Sequence, residues 1–371
     1  MKSLLSWFVL IVSIAVLVSS CAKSDDNKTA STSSTDNTTS SSSVPRGFVA
    51  VGNEGTIVKS TDNGSSFDNV TSPGGWDLGG VVFGNTTLVA VGQAGVVFSS
   101  TDNGSTWTKW WDWVNSSHFN GVTFGNDIFV AVADDGIIIR STNGSTWNNV
   151  TSLTANANHI IGVTFGNNTF VAVGYSGNIV RSTDNGSSWD NATSPTGNHL
   201  RGVTFGNNTF VAVGASGNIL RSTDNGSSFD NATSPTANDL SGITFANNTF
   251  VAVGDYIVRS TDNGSSFDNA TSGTNHLVGA NHLQGVGFGN NTFVAVGGSG
   301  TIVRSTDNGS NWDNATSPTS NKLRGNVGFG NNTFVATGLS GNILRSTDNG
   351  TTWDNATTPT ASDLYIVSFS E

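Results

Sequence analysis

The sequence of 371 residues has one cysteine, one methionine, six prolines and three tyrosines, and only 11% of its residues are charged. One cysteine excludes a disulfide framework. The charged share is less than half of what soluble domains usually carry. Fifteen Lys and Arg against 26 Asp and Glu give a net charge of −11, with no basic block. Binding to a phosphate backbone needs a basic face, so no nucleic-acid partner is expected. The length fits two ordinary domains or one repeat domain. What the chain has in quantity is glycine, 45 residues, set among Asn, Ser and Thr.

After Lys2, residues 4–18 are almost wholly apolar. A run of about 15 is the length of a signal-peptide core and short for a membrane span. It ends in Val18-Ser19-Ser20-Cys21, which resembles the bacterial lipobox. The resemblance implies that residues 1–20 are a lipoprotein signal peptide and that Cys21 is lipidated as the mature N-terminus. Residues 21–45 are mostly Ser, Thr, Asp, Asn and Lys. With almost no apolar side chain to offset the entropy of ordering, they are expected to form a disordered tether. Asp25-Asp26 is similar to the surface-export signals of some bacterial lipoproteins. The expected location is the cell envelope outside the cytoplasm, at the outer membrane or cell surface, with membrane contact through the lipid alone.

From residue 46 to 371 the chain repeats. An Asn-Gly pair recurs with its glycine at Gly64, Gly104, Gly144, Gly186, Gly226, Gly264, Gly309 and Gly350. The spacing is about 40 residues, and each unit consists only of strand-like runs, which predicts propeller blades of four strands. In one unit the strands are expected at 200–205, 210–213, 218–222 and from 227. Gly206-Asn207 and residues 214–217 supply turns, and Asn225-Gly226 is a strong hairpin signal. The second strand, Phe-Val-Ala-Val, has no polar face and must be covered on both sides, as stacked blades would do. The first unit begins at Gly47 with a second strand, and residues 363–371 match a first strand. The terminal strand is therefore expected to complete blade 1 and remove the exposed edge. The fold class read from the sequence is all-β: an eight-bladed β-propeller of four-stranded blades, closed by the C-terminal strand pairing into blade 1.

The third turn reads Ser60-Thr-Asp-Asn-Gly-Ser-Ser-Phe67, with close copies from Ser100, Ser182, Ser222, Ser260, Ser305 and Ser346, and a copy one residue shorter from Ser141. This is similar to the Asp-box (BNR) repeat. That family includes sialidases, other secreted glycosidases and the photosystem II assembly-factor propellers; the units here, with Phe-Val-Ala-Val-Gly before the box, look most like the uncharacterised secreted and assembly-factor-like propellers. The resemblance implies a structural box, in which Asp62, Asp102, Asp184, Asp224, Asp262, Asp307 and Asp348 cap turn N–H groups, the glycine takes a positive φ and the aromatic packs between sheets. Eight near-copies do not make one active site. The arginines before the box serines also repeat, which predicts a blade-edge role.

A sialidase-type glycoside hydrolase is the alternative. It needs an arginine triad, a Tyr–Glu pair and an acid aspartate, and the propeller has few Tyr and Glu and almost no irregular insertion. The expected protein is a non-catalytic, monomeric scaffold for an envelope protein or surface glycan, with no cofactor and no metal. Candidate contact residues are those that break the repeat. Trp110, Trp111 and Trp113 have no counterpart in other units. The insertion at 272–281 repeats Asn-His-Leu and reads as slippage. The residues that open the first strands, Asp77, His118, His159, His199, Asp239, His282, Lys322 and Asp363, are expected to ring one mouth of the central channel. They either bind there or cap the incoming loops by hydrogen bonding.

Overall fold

A computed structural model describes residues 46–111, 117–150, 159–272 and 281–370. The signal and tether segments, Cys21, Trp113 and residues 273–280 of the insertion lie outside these.

Eight antiparallel sheets are arranged around a central axis. In blade 5 the strands run from the axis outward as Leu200–Gly206, Thr209–Gly214, Ile219–Ser222 and Asp230–Asn231. Blade 1 is built from both ends of the propeller. Its inner strand is Leu364–Ser370, which pairs antiparallel with Gly47–Gly52. Blade 7 carries a fifth strand, Thr271–Ser272, which arrives from blade 6 and runs parallel to the outer strand Asn311–Asn314.

The second strands are buried on both faces: Phe210, Val211, Ala212 and Val213 are fully inaccessible, and the other blades repeat this. Their apolar partners belong to the neighbouring blade. Val211 and Val213 of blade 5 pack with Leu240, Ile243, Phe250 and Phe267 of blade 6. Burying each such side chain contributes about 1.5–3 kcal/mol, so the hydrophobic core is distributed between blades.

The first three strands fall within one residue of the expected limits, and the fourth does not. The outer strand starts at Asp230 rather than 227, because the N–H groups of Ser227 and Ser228 bond to the Asp224 carboxylate at 3.1 and 3.0 Å instead of joining a ladder. The ring residues stand one position before their strands. The His199 carbonyl, for example, accepts from Ala215 N in the turn between second and third strands.

Candidate functional site

Strand direction alternates, so the two ends of the propeller differ. One end carries the Asp boxes and the turns between inner and second strands. The other carries the ring residues, the turns between second and third strands, and the crossings to the next blade.

The box end is uniform. Ser222 Oγ donates to Asp224 Oδ1 at 2.8 Å and accepts from Gly226 N at 2.9 Å. Asp224 Oδ2 accepts from Ser228 Oγ at 2.6 Å. Burial raises the Asp184, Asp224 and Asp262 carboxyls, but the hydroxyl and amide donors around each outweigh it and hold all three at about 2. Asp62, Asp102, Asp307 and Asp348 are lowered in the same way. In blade 3, neutral Asn143 replaces the aspartate and accepts from Ser145 N and Thr146 N at 2.9 and 2.8 Å. Box tryptophans are buried and donate Nε1 to the box glycine carbonyl, as Trp312 does to Gly309 at 3.0 Å. The boxes also stitch blades together. Asn263 Nδ2 of blade 6 donates to Thr209 Oγ1 of blade 5 at 2.7 Å, and Arg221 Nε of blade 5 donates to the Asn263 carbonyl at 2.8 Å. The repeated arginines therefore do have the expected blade-edge role.

At the mouth end, the ring side chains reach back to the preceding blade's turn. Asp77 accepts from Glu54 N at 2.8 Å, His199 Nδ1 from Ser176 N at 3.1 Å, Asp239 from Ser216 N at 2.9 Å and Asp363 from Ser340 N at 2.9 Å. His159 meets Asp134 at 2.6 Å and His282 meets Asp255 at 2.7 Å. Asp239 also holds Arg201 at 2.6 Å. Burial, then the neighbouring Arg324, push the Lys322 ammonium down. Arg324 lies over the Tyr365 ring at 5.2 Å, and burial followed by the Asp77 charge raises the Tyr365 phenol to about 12. Four of the eight ring residues, Asp77, His199, Asp239 and Asp363, thus cap turn N–H groups. Among the described residues, no three His, Cys, Asp or Glu side chains gather as metal ligands.

Beside the ring, two further positions diverge from blade to blade. The first residue of the turn after the second strand is Asn53, Gln93, Asp134, Tyr175, Ala215, Asp255, Gly298 or Leu339. The second residue of the inner strand is Gly79, Asn120, Ile161, Arg201, Ser241, Gln284, Arg324 or Tyr365. In every blade but the eighth this residue is skipped by the pairing, as Arg201 is between Leu200↔Gly214 and Gly202↔Val213. Such a bulge aims a side chain away from the ladder. The sequence signal was available: these positions vary from unit to unit where nearly everything else is copied.

The tryptophan stretch lies at the blade 2 rim. Its outer strand is Thr108–Trp111. The register jumps from Lys109↔Phe98 to Trp111↔Val97, which leaves Trp110 on a bulge. Trp110 is 46% exposed and donates Nε1 to Ser99 Oγ at 2.5 Å. Ser99 stands where blade 1 carries Lys59 and the other six carry the stitching arginine. Lys109 Nζ lies 4.0 Å from the centre of the Trp76 ring.

No curated protein sequence matches the chain. Solved structures share its fold at low identity. YCF48 from Cyanidioschyzon merolae aligns with a TM-score of 0.56 and 18% identity over 74% of this chain and 97% of that one. A structure of YCF48 bound to D1 peptide aligns at 0.53 and 16% over 79% and 92%. Apo AztD from Citrobacter koseri aligns at 0.62 and 13% over 87% and 97%. The sequence model of the family described as photosynthesis system II assembly factor YCF48 matches residues 90–329, and the chain belongs to that family.

Proposed function

We propose that this chain is a non-catalytic, lipid-anchored scaffold outside the cytoplasm that grips a protein partner with its mouth end. The observation that carries this reading is the distribution of variation. Eight units are nearly copied at the box end and differ at the mouth, at three positions per blade that surround one opening. Copying preserves what every blade needs, namely turns and stitches. A surface that recognises one partner has to break that symmetry. Family membership and a neighbour solved with a bound peptide support a protein partner. Trp110 adds an exposed indole at the rim, the side-chain type that most often anchors interfaces.

The glycoside hydrolase alternative has less support. A sialidase-type site needs a free acid aspartate beside a Tyr–Glu pair and an arginine triad. Here Asp239 is held by Arg201 and Ser216, while Asp77 and Asp363 cap turns. The lipid anchor rests on Val18-Ser19-Ser20-Cys21. Fractionating Cys21→Ser tests it: release from membranes or a failure of processing is expected, and wild-type migration and fractionation would refute it. Assaying the soluble propeller on a glycan panel tests catalysis; turnover abolished by substituting one mouth aspartate would overturn the scaffold reading.

A further inference from the structure

The mouth histidines are not all used by the fold. His282 is committed at both nitrogens, Nδ1 to Asp255 and Nε2 to Ser241 Oγ, each at 2.7 Å. Among the described residues, His159 and His199 each engage a partner through Nδ1 alone. Tyr175 lies between them, with ring centres 5.2 Å from His159 and 4.3 Å from His199. No hydrogen bond engages its phenol among the described residues. Tyr175 replaces the Ala, Gly, Leu, Asn, Gln or Asp of the other turns, so this three-ring cluster is particular to the joint of blades 4 and 5.

The Nδ1 partners fix the tautomers. His199 Nδ1 accepts the Ser176 N–H at 3.1 Å, so the neutral ring carries its proton on Nε2 and offers a donor there. His159 Nδ1 faces the Asp134 carboxylate at 2.6 Å, so the proton sits on Nδ1 and the neutral ring offers an acceptor at Nε2. The cluster thus presents one donor and one acceptor flanking an aromatic ring with a free hydroxyl. The Asp134 carboxylate at His159 is the charged group within the cluster, and it also accepts from Asn120 Nδ2 at 2.8 Å.

We propose that His159, Tyr175 and His199 form a binding site for a neutral sugar ring. A pyranose presents a face of C–H groups, which are slightly positive and suit the negative face of a tyrosine ring. Its vicinal hydroxyls each donate and accept, which suits the His199 donor and the His159 acceptor. The Asp134 carboxylate at the edge of the cluster disfavours an anionic ligand and suits one that brings hydroxyl groups. This site goes beyond the protein-scaffold reading, and either stands if the other fails.

Saturation-transfer NMR on the soluble propeller with glucose, galactose and mannose, and their disaccharides, tests the proposal. At least one should receive saturation at its ring C–H protons. Tyr175→Ala should abolish the transfer. Tyr175→Phe should keep it, since the ring remains. His199→Ala should weaken binding about tenfold, the size of one lost hydrogen bond, and Asp354→Ala, on the outer strand of blade 8, should leave it unchanged. Melting curves of each variant show that the propeller is intact. No transfer with any neutral sugar, or transfer that survives Tyr175→Ala, would overturn the proposal.

Discussion

Arg345 donates from Nε to the backbone carbonyl of Asn63 at 2.9 Å, across 282 residues of chain. Arg221 makes the same bond to Asn263, and Arg304 to Asn349. The joint that closes the ring is therefore chemically like the internal joints. It adds the pairing of residues 364–370 with 47–52. Deleting 363–371 strips blade 1 of its inner strand and exposes an unpaired edge. Aggregation or a large fall in melting temperature is expected, whereas Arg345→Ala should cost only about 1–2 kcal/mol. A truncated protein that melts like the full chain would contradict closure.

Acid should loosen the propeller in a defined window. The Asp184, Asp224 and Asp262 carboxyls sit at about 2 in the folded chain, below their ordinary 3.8. The unfolded chain takes up these protons first as pH falls, so the stability they lend is complete above about pH 4 and is lost toward about pH 2. Melting temperature followed against pH should drop over that interval. Replacing the three by Asn, the residue nature places at Asn143, should flatten the drop. An equal drop in the triple variant would exclude these three carboxylates as its cause.

Box glycines are held by conformation and by space. Gly226 has φ +79°, and a Cβ there would lie 2.7 Å from Val171 Cγ2 of the preceding blade. Gly226→Ala should destabilise by roughly 1–3 kcal/mol. Gly197, with nothing within 4 Å and no positive φ, is the control. Chemical denaturation should separate the two variants; equal stabilities would contradict the packing of box on neighbouring blade.

Tryptophans divide by location. Trp312 is 2% exposed and Trp110 is 46% exposed. Trp312→Ala should cost about 3–5 kcal/mol, while Trp110→Ala should leave the melting temperature nearly unchanged. Large destabilisation by Trp110→Ala would make that ring part of the scaffold.

Blade number, four-strand order, doubly buried second strands and terminal closure were legible in the sequence, because each is periodic or local. Asn225-Gly226 announced its turn, and both residues do have positive φ, 61° and 79°. The stitches were not legible. Asn225 Nδ2 reaches Thr169 Oγ1 at 2.5 Å over 56 residues, a neighbour created only when blades stack. The turn at Asn207-Asn208, both at positive φ, was read only in part, as Gly206-Asn207. The mouth was half legible: the ring stood out by its histidines, but Tyr175 meets His159 and His199 only because successive blades bring their turns and strand starts together.

The central claim is that the mouth end, not the box end, meets the partner. Photo-crosslinking residues placed at Glu54, Tyr256 and Ser340 of the mouth, and at Asn207, Asn247 and Asn331 of the box end, test it on the full-length protein in its own cells. The account predicts one discrete protein adduct from the mouth positions and none from the box end. Adducts from the box end alone would contradict it.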